Sequence, residues 1–307
     1  MAKRLTEKQV LLAKVGGTPD ATNVVDLDGV FIPSLSGKTG EYKQLDGGMG
    51  GTKGYTVDDY LSVSGTLSCN LRGNGGGATL PKLSDMLKMC GLDESLVDSD
   101  SDGTNDTVVY TPNDTEIANG SVLFYLDGEK REFSGVSANL KLDFEVGTIA
   151  KTSFDISGFS SLSSAEDNPA VTLDSNDVFI VKSISAVTLS GGTLNLKKAS
   201  FDMGNQMQEI YAISQKEFYR SDYKPTITLE DNAIKGDTSH WDDFLNGNLK
   251  SISILLTSKS GNTFTFTADN CRYTEVSESD DSGKVGLSRK FSLEKNGVTP
   301  NFSIAYA

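Results

Sequence analysis

"SVLFYLDGEKREFSGVSANLKLDFEVG", residues 121–147, decides the class of fold. Two strand-like runs flank Asp127-Gly128. In the second run, Leu140, Leu142, Phe144 and Val146 fall on one face and Asn139, Lys141, Asp143 and Glu145 on the other. Period two marks a strand with one wet face, and Asp-Gly between two such runs is a strong short-range hairpin signal. The stretch reads as an antiparallel hairpin.

Its neighbours read the same way. "YLSVSGTLSCNLR" (60–72) puts Leu61, Val63, Gly65, Leu67, Cys69 and Leu71 on one face, and "KTSFDISGF" (151–159) adds another strand. The 307 residues include 31 Gly and only 7 Pro, with Ser, Thr, Asp and Asn crowded between short apolar runs. That texture belongs to an all-β protein with many turns.

The order of elements then recurs. "GTLSCNL", the helix-like "PKLSDMLKMCG", the hairpin above and "AKTSFDISGFS" are followed by "KPTITLED", "SHWDDFLNG", "SISILLTSKSGNTFTFTADN" and "GLSRKFSLEKN". Thr66 matches Thr226, Leu87 matches Leu245, Gly128 matches Gly261 and Phe154 matches Phe291. The interval between matched residues shortens by roughly 25 between helix and hairpin, which marks an acidic insertion at about 92–118 in the first half. The chain therefore reads as a tandem duplication of one β unit with a small helix. The units span 1–165 and 166–307, and the boundary lies near the Ser-rich "GFSSLSSAEDNPAV". "SLSGKTGEYKQLDGGMGGTKGYTVDD" (34–59) reads as a long polar loop, with "SFDMGNQMQEIYAISQKEFYRSDY" in the matching place.

Little here suggests chemistry. In "NLRGNGGGATLPKLSDMLKMCG" (70–91), Gly73, Gly75 and Ala78 fit a dinucleotide fingerprint, but the preceding strand alternates and an acidic loop follows the helix. No cofactor is expected. His240 is the only histidine; Ser239 reads as its helix cap, with Asp242 completing a capping box. Trp241 aligns with Leu83 and is expected in the core. Cys69, Cys90 and Cys271 lack metal-ligand spacing and read as reduced thiols. Asp98, Asp100 and Asp102 with Gly103 reproduce the first half of a calcium loop, but Val109 stands where its last acid belongs. A surface loop is the simpler reading, and no enzyme is expected. The net charge of -14 disfavours adsorption to nucleic acid, and no window is long and apolar enough to span a membrane.

Residues 55–160 resemble the tail tube (major tail) proteins of long-tailed bacteriophages. The resemblance is carried by "LRGNGGGATLPKLSDMLKMCGL", "VVYTPND" and "SVLFYLDGEKREFSGVSANLKLDFEVGTIAKTSFDISGF". The second half resembles them more faintly. The resemblance implies a β-sandwich with a flanking helix, whose inner sheets close into a barrel around a conduit for DNA ejection. It implies stacked rings bridged by a long loop, here Lys38, Glu41, Tyr42, Lys43, Lys53 and Tyr55. Its implied partners are further copies of the chain, with tail terminator, tape measure and baseplate proteins, in a virion tail assembled in the host cytoplasm. DNA would pass without specific binding. Two units per chain imply three chains in a pseudo-sixfold ring; one tube unit with a decoration domain would need six. A tail terminator, baseplate-hub or decoration protein, or a calcium-dependent adhesion or glycan-binding module, are the alternatives.

Overall fold

Asp127 and Gly128 both take positive φ, 42° and 88°, the backbone a two-residue type I′ hairpin turn requires. The computed structural model describes residues 5–43, 52–114, 119–182, 185–234, 236–281, 283–297 and 299–307. In the first half the elements are β1 Gln9–Val15, β2 Val24–Val25, β3 Ser34–Lys43, β4 Thr52–Asn70, α1 Ser84–Met89, β5 Leu92–Val97, β6 Thr107–Pro112, β7 Gly120–Leu126, β8 Glu129–Glu145, β9 Lys151–Ser160 and β10 Ser164–Ala165. In the second they are β11 Ala186–Leu189, β12 Gly192–Thr193, β13 Leu196–Asp202, β14 Asn205–Ala212, β15 Gln215–Tyr223, β16 Thr226–Asn232, α2 Ser239–Asn246, β17 Leu249–Thr257, β18 Thr263–Asp281, β19 Lys284–Leu293 and β20 Ser303–Tyr306. The fold is all-β, with antiparallel pairing throughout the described ladders.

Eighteen of these strands form one hydrogen-bonded system, and β14–β15 is a separate hairpin. One sheet runs β3–β4–β9–β8–β13–β16–β19–β18. The long strands β8 and β18 continue out of it into a second layer, where β8 pairs with β7 and β10, and β18 with β17 and β20. A bulge between Ser134 and Ser137 turns β8 between the two, with Gly135 at φ +57 inside it.

The matched residues hold matching registers. Phe154 sits between Leu67 and Leu140; Phe291 sits between Ile227 and Tyr273. Thr66 faces Asp155 as Thr226 faces Ser292. The pairings β1–β7, β4–β9, β8–β9 and β10–β8 have counterparts in β11–β17, β16–β19, β18–β19 and β20–β18. Both sets of apolar faces enter one buried cluster. Phe201 packs on Phe266 and Phe302 at ring distances of 4.9 and 4.8 Å. Across the 165/166 boundary, β13 pairs with β8 and β20 with β6.

Several local expectations are overturned. The acidic insertion is a hairpin, β5–β6, so a strand does follow α1; it is antiparallel, and thus still not a dinucleotide fold. Trp241 is 37% exposed and Leu83 buried, because β5 packs on α1 and α2 has no such cover. Ser239 does not cap α2. The residue at the cap is Thr238, without a side-chain bond, and Ser239 Oγ donates to Asp237 at 2.6 Å. His240 lies buried in the first turn.

Glu94 ties the β5–β6 hairpin to α1. Its Oε2 accepts from Ser84 Oγ (2.5 Å) and the Tyr110 hydroxyl (2.9 Å), and Lys88 Nζ lies 3.0 Å from Oε1. Burial pushes this carboxyl's pKa up, but hydrogen bonds from Ser84, Lys88 and Tyr110 outweigh it and hold it below its ordinary value. A depressed carboxyl stabilises the fold above its unfolded pKa of about 4.3, and that gain is lost as pH falls through the folded value. Glu94→Gln is expected to lower the urea midpoint at pH 7 and to flatten the loss of stability below about pH 5. Identical pH slopes in the two proteins would refute the assignment.

Candidate assembly surfaces

Of the segment 34–59, expected as a loop, the described residues 34–43 and 52–59 are the two paired strands of an arm. β3 pairs with β4 from Ser34↔Ser64 to Lys43↔Thr52, with a register shift after Gly37. Lys38, Glu41, Tyr42 and Lys43 lie on one strand and Lys53 and Tyr55 on the other, all exposed. The middle of the segment, 44–51, falls outside the described residues. The described residues of this part of the arm are mostly exposed, so its register rests on backbone pairing; Tyr55 closes over Gly40, where a Cβ would come within 2.6 Å of the ring.

β14–β15 is a second arm, joined by Ile213-Ser214 with Ser214 at φ 69. It continues the β13–β16 hairpin, as the first arm continues the β3–β4 pairing beyond Gly37. Unlike the first, it folds back onto the first half of the chain. Phe218 meets Phe159 at 5.2 Å, Ser137 Oγ donates to Phe218 O at 2.6 Å, and Asn119 Nδ2 donates to Glu217 Oε2 at 2.7 Å. Asn205 Nδ2 donates to the carbonyls of Cys90 (2.7 Å) and Ala138 (2.9 Å), and Arg220 donates to Asn113 O. Gly135 makes this approach possible, since a Cβ there would lie 2.7 Å from Lys216 O.

The two arms also touch. Tyr60 and Tyr211 meet edge to face at 4.9 Å, with Lys38 Nζ above both rings at 5.3 and 5.2 Å. Tyr211 OH donates to Asp59 at 2.5 Å, and Lys216 Nζ lies 2.7 Å from the same carboxylate. Lys216, then Tyr211, hold Asp59 below the ordinary carboxylate range, while that carboxylate pushes the Tyr211 hydroxyl up to about 12.

The face of the main sheet opposite the core is polar. It carries Thr66, Asp155, Lys141, Asp143, Ser200, Asp202, Thr228, Glu230, Lys290 and Ser292, half-buried or exposed. Acids and bases alternate, as where Lys141 Nζ lies 2.7 Å from Asp155 and Thr66 Oγ1 donates to it at 2.6 Å. It is a hydroxyl-rich surface of mixed charge.

Profile comparison matches residues 9–299 to the phage tail tube protein family, so the match spans both halves. The chain belongs to the phage tail tube protein family. No curated protein matches it. A tail tube protein acts as a structural component of the phage tail. Burial pushes the Cys69 and Cys271 thiols up to about 12 and the Cys90 thiol well above its ordinary value, leaving poor nucleophiles. A groove of about 390 Å³, lined by residues such as Leu11, Val25 and Leu173, is mainly aliphatic. The carboxylates of Asp98, Asp100 and Asp102 lie within 4.8 Å of one another. They already accept backbone N–H groups, Asp98 from Asp102 and Gly103, and Asp102 from Thr104. Val109, at the last ligand position, is held in β6 opposite Ser95. Among the described residues, no helix is long and apolar enough to cross a membrane.

The sequence brought forward one arm and missed what the second does. Its docking residues Phe159, Ser137 and Asn119 carry no motif. No apolar alternation flanks Ile213-Ser214, so the sequence carries no mark that this segment is a hairpin rather than a loop.

Proposed function

We propose that this protein self-assembles into stacked rings that form the tail tube, the conduit through which DNA leaves the particle. Each chain contributes two tube units, 1–165 and 166–307, and three chains make a pseudo-sixfold ring. The observation that carries this reading is the repeated register: Leu67–Phe154–Leu140 in one half and Ile227–Phe291–Tyr273 in the other are equivalent three-strand rows. The pairing of β13 with β8 joins the halves edge to edge, with Ile227 reaching Leu142 through Phe201, as successive units in a ring would join.

The arithmetic of closure supports it. Eight strands from each of three chains give about 24, and at about 4.8 Å per strand the perimeter is about 115 Å. Barrels of roughly 16–18 strands already enclose an aqueous channel, so this one is wider. The polar face lines it, and its alternating charges offer phosphates no continuous basic track to bind. The exposed residues Lys38, Glu41, Tyr42, Lys43, Lys53 and Tyr55 bridge one ring to the next. Tail terminator, tape measure and baseplate proteins meet the tube along its length and at its ends, and the tail is assembled in the host cytoplasm.

Electron microscopy of assembled tubes tests this through the number of chains per ring. Three chains with near-sixfold density are expected. Six chains, with residues 166–307 outside the wall, would overturn the two-unit reading, and a chain that never assembles would overturn the tube itself.

A further inference from the structure

We propose that a second copy of this chain joins the second half at two places: its segment 27–33 extends β18 along Glu275–Asp281, and the base of its β3–β4 arm covers the C-terminal end of α2. The proposal rests on the tube reading above and names the joint that reading needs.

The pattern is visible inside one chain. β13 adds to the end of β8, Asp202↔Lys141 through Lys198↔Glu145. Just beyond β13, the base of the β14–β15 arm closes on the residues that follow α1, through Asn205 to Cys90 O and Arg220 to Gly91 O at 3.5 Å. A strand end and a helix end of the first half are thus both covered by the second half.

The matching surfaces of the second half lack such cover among the described residues. Along Glu275–Asp281, β18 pairs with β19, and no described strand pairs with its other edge. An unpaired strand edge is a template for another strand. At the end of α2, Leu245 is 78% and Leu249 45% exposed, whereas Leu87, which matches Leu245, is buried. The complementary surface lies in the first half. Residues 27–33 stand before the first arm as β13 stands before the second, with Leu27 bridged to Cys69 and Leu35 paired with Val63. Val30 and Ile32 within this segment are 51% and 70% exposed.

Each chain therefore offers two different surfaces, each lacking the partner the other supplies. That makes a heterologous contact, which closes into a ring when the rotation per chain permits. The occupant is a second copy because only the first half carries the strand-and-arm base that matches β13 and its arm.

Two variants test the joint, each blocking one surface: Val30→Asp with Ile32→Asp, and Leu245→Asp with Leu249→Asp. Each alone is expected to sediment as a monomer under conditions where the native chain assembles. Mixed, they retain one intact surface each and are expected to give a 1:1 heterodimer that grows no further. Monomers in the mixture, with the native chain assembling, would overturn this joint and leave self-assembly standing; a native chain that stays monomeric would remove both. Should either variant misfold, benzoylphenylalanine in place of Ile32 in the otherwise native chain decides the matter. Irradiation is expected to link it to a peptide spanning 273–281 of another copy, and linkage elsewhere would overturn the proposal.

Discussion

Asp231→Leu alone is expected to lower the free energy of unfolding by roughly 3–5 kcal/mol, and Asp231→Leu together with Arg289→Thr by far less or not at all. Asp231 Oδ2 and Arg289 Nη2 lie 2.5 Å apart with their side chains 9% and 7% exposed. Among the described residues, Asp231 Oδ1 and Arg289 Nε have no hydrogen-bond partner, so the attraction only partly offsets desolvation of two charges. Burial accordingly pushes the Asp231 carboxyl up despite Arg289 beside it. An acid whose pKa is raised by folding favours the fold once protonated, and that gain fades as pH rises through the raised value. Removing one partner strands a buried charge; removing both removes the conflict. The chain already contains the alternative, since the positions matching Asp231 and Arg289 in the repeated register hold Leu71 and Thr152, both buried. Urea unfolding of the two variants beside the native protein checks this. A double variant as damaged as the single one would show that the two halves do not tolerate each other's residues.

The features the sequence reveals are those in which burial and local geometry agree. Asp127-Gly128 declares its turn because few residues accept positive φ, and Leu140, Leu142 and Phe144 declare their face because it is buried. Phe154 and Phe291 could be matched for the same reason. The arms fail this test. Between Lys38 and Lys43 both faces of β3 meet water, so no apolar alternation is written there, and a wet hairpin looks like a loop. Trp241 shows the opposite error. Its match is Leu83, but Leu83 stands at the cap of α1 and Trp241 inside α2, and the β5–β6 hairpin packs on α1. Sequence patterns report what a segment packs against within its own unit. They carry no mark for a surface that an inserted hairpin, or another chain, is needed to cover.

Deleting Lys38–Lys53 is expected to abolish long tubes while leaving a folded chain that still forms rings. Among the described residues removed, none contributes a side chain to the buried cluster, so the core and its unfolding transition should change little. The contacts forfeited with them are those of Lys38 over Tyr60 and Tyr211, worth about 0.5–1 kcal/mol at exposed sites. Asp59 and Tyr60 remain, so the second arm keeps its bonds to Asp59 and its edge-to-face contact with Tyr60. The segment 27–33 and the edge of β18 are also untouched, so closure within a ring is preserved. What is lost is the outer part of an arm whose described residues beyond Lys38 are mostly exposed. The connection it carries, 44–51, is also far longer than the two residues, Ile213 and Ser214, that close the second arm. Stacking should therefore fail in an all-or-none manner while ring formation persists. Sedimentation separates rings from tubes, and negative-stain images show which is present. Tubes of native length from the deletion would remove the arm from ring-to-ring contact, and loss of rings as well would place its outer part in the lateral joint instead.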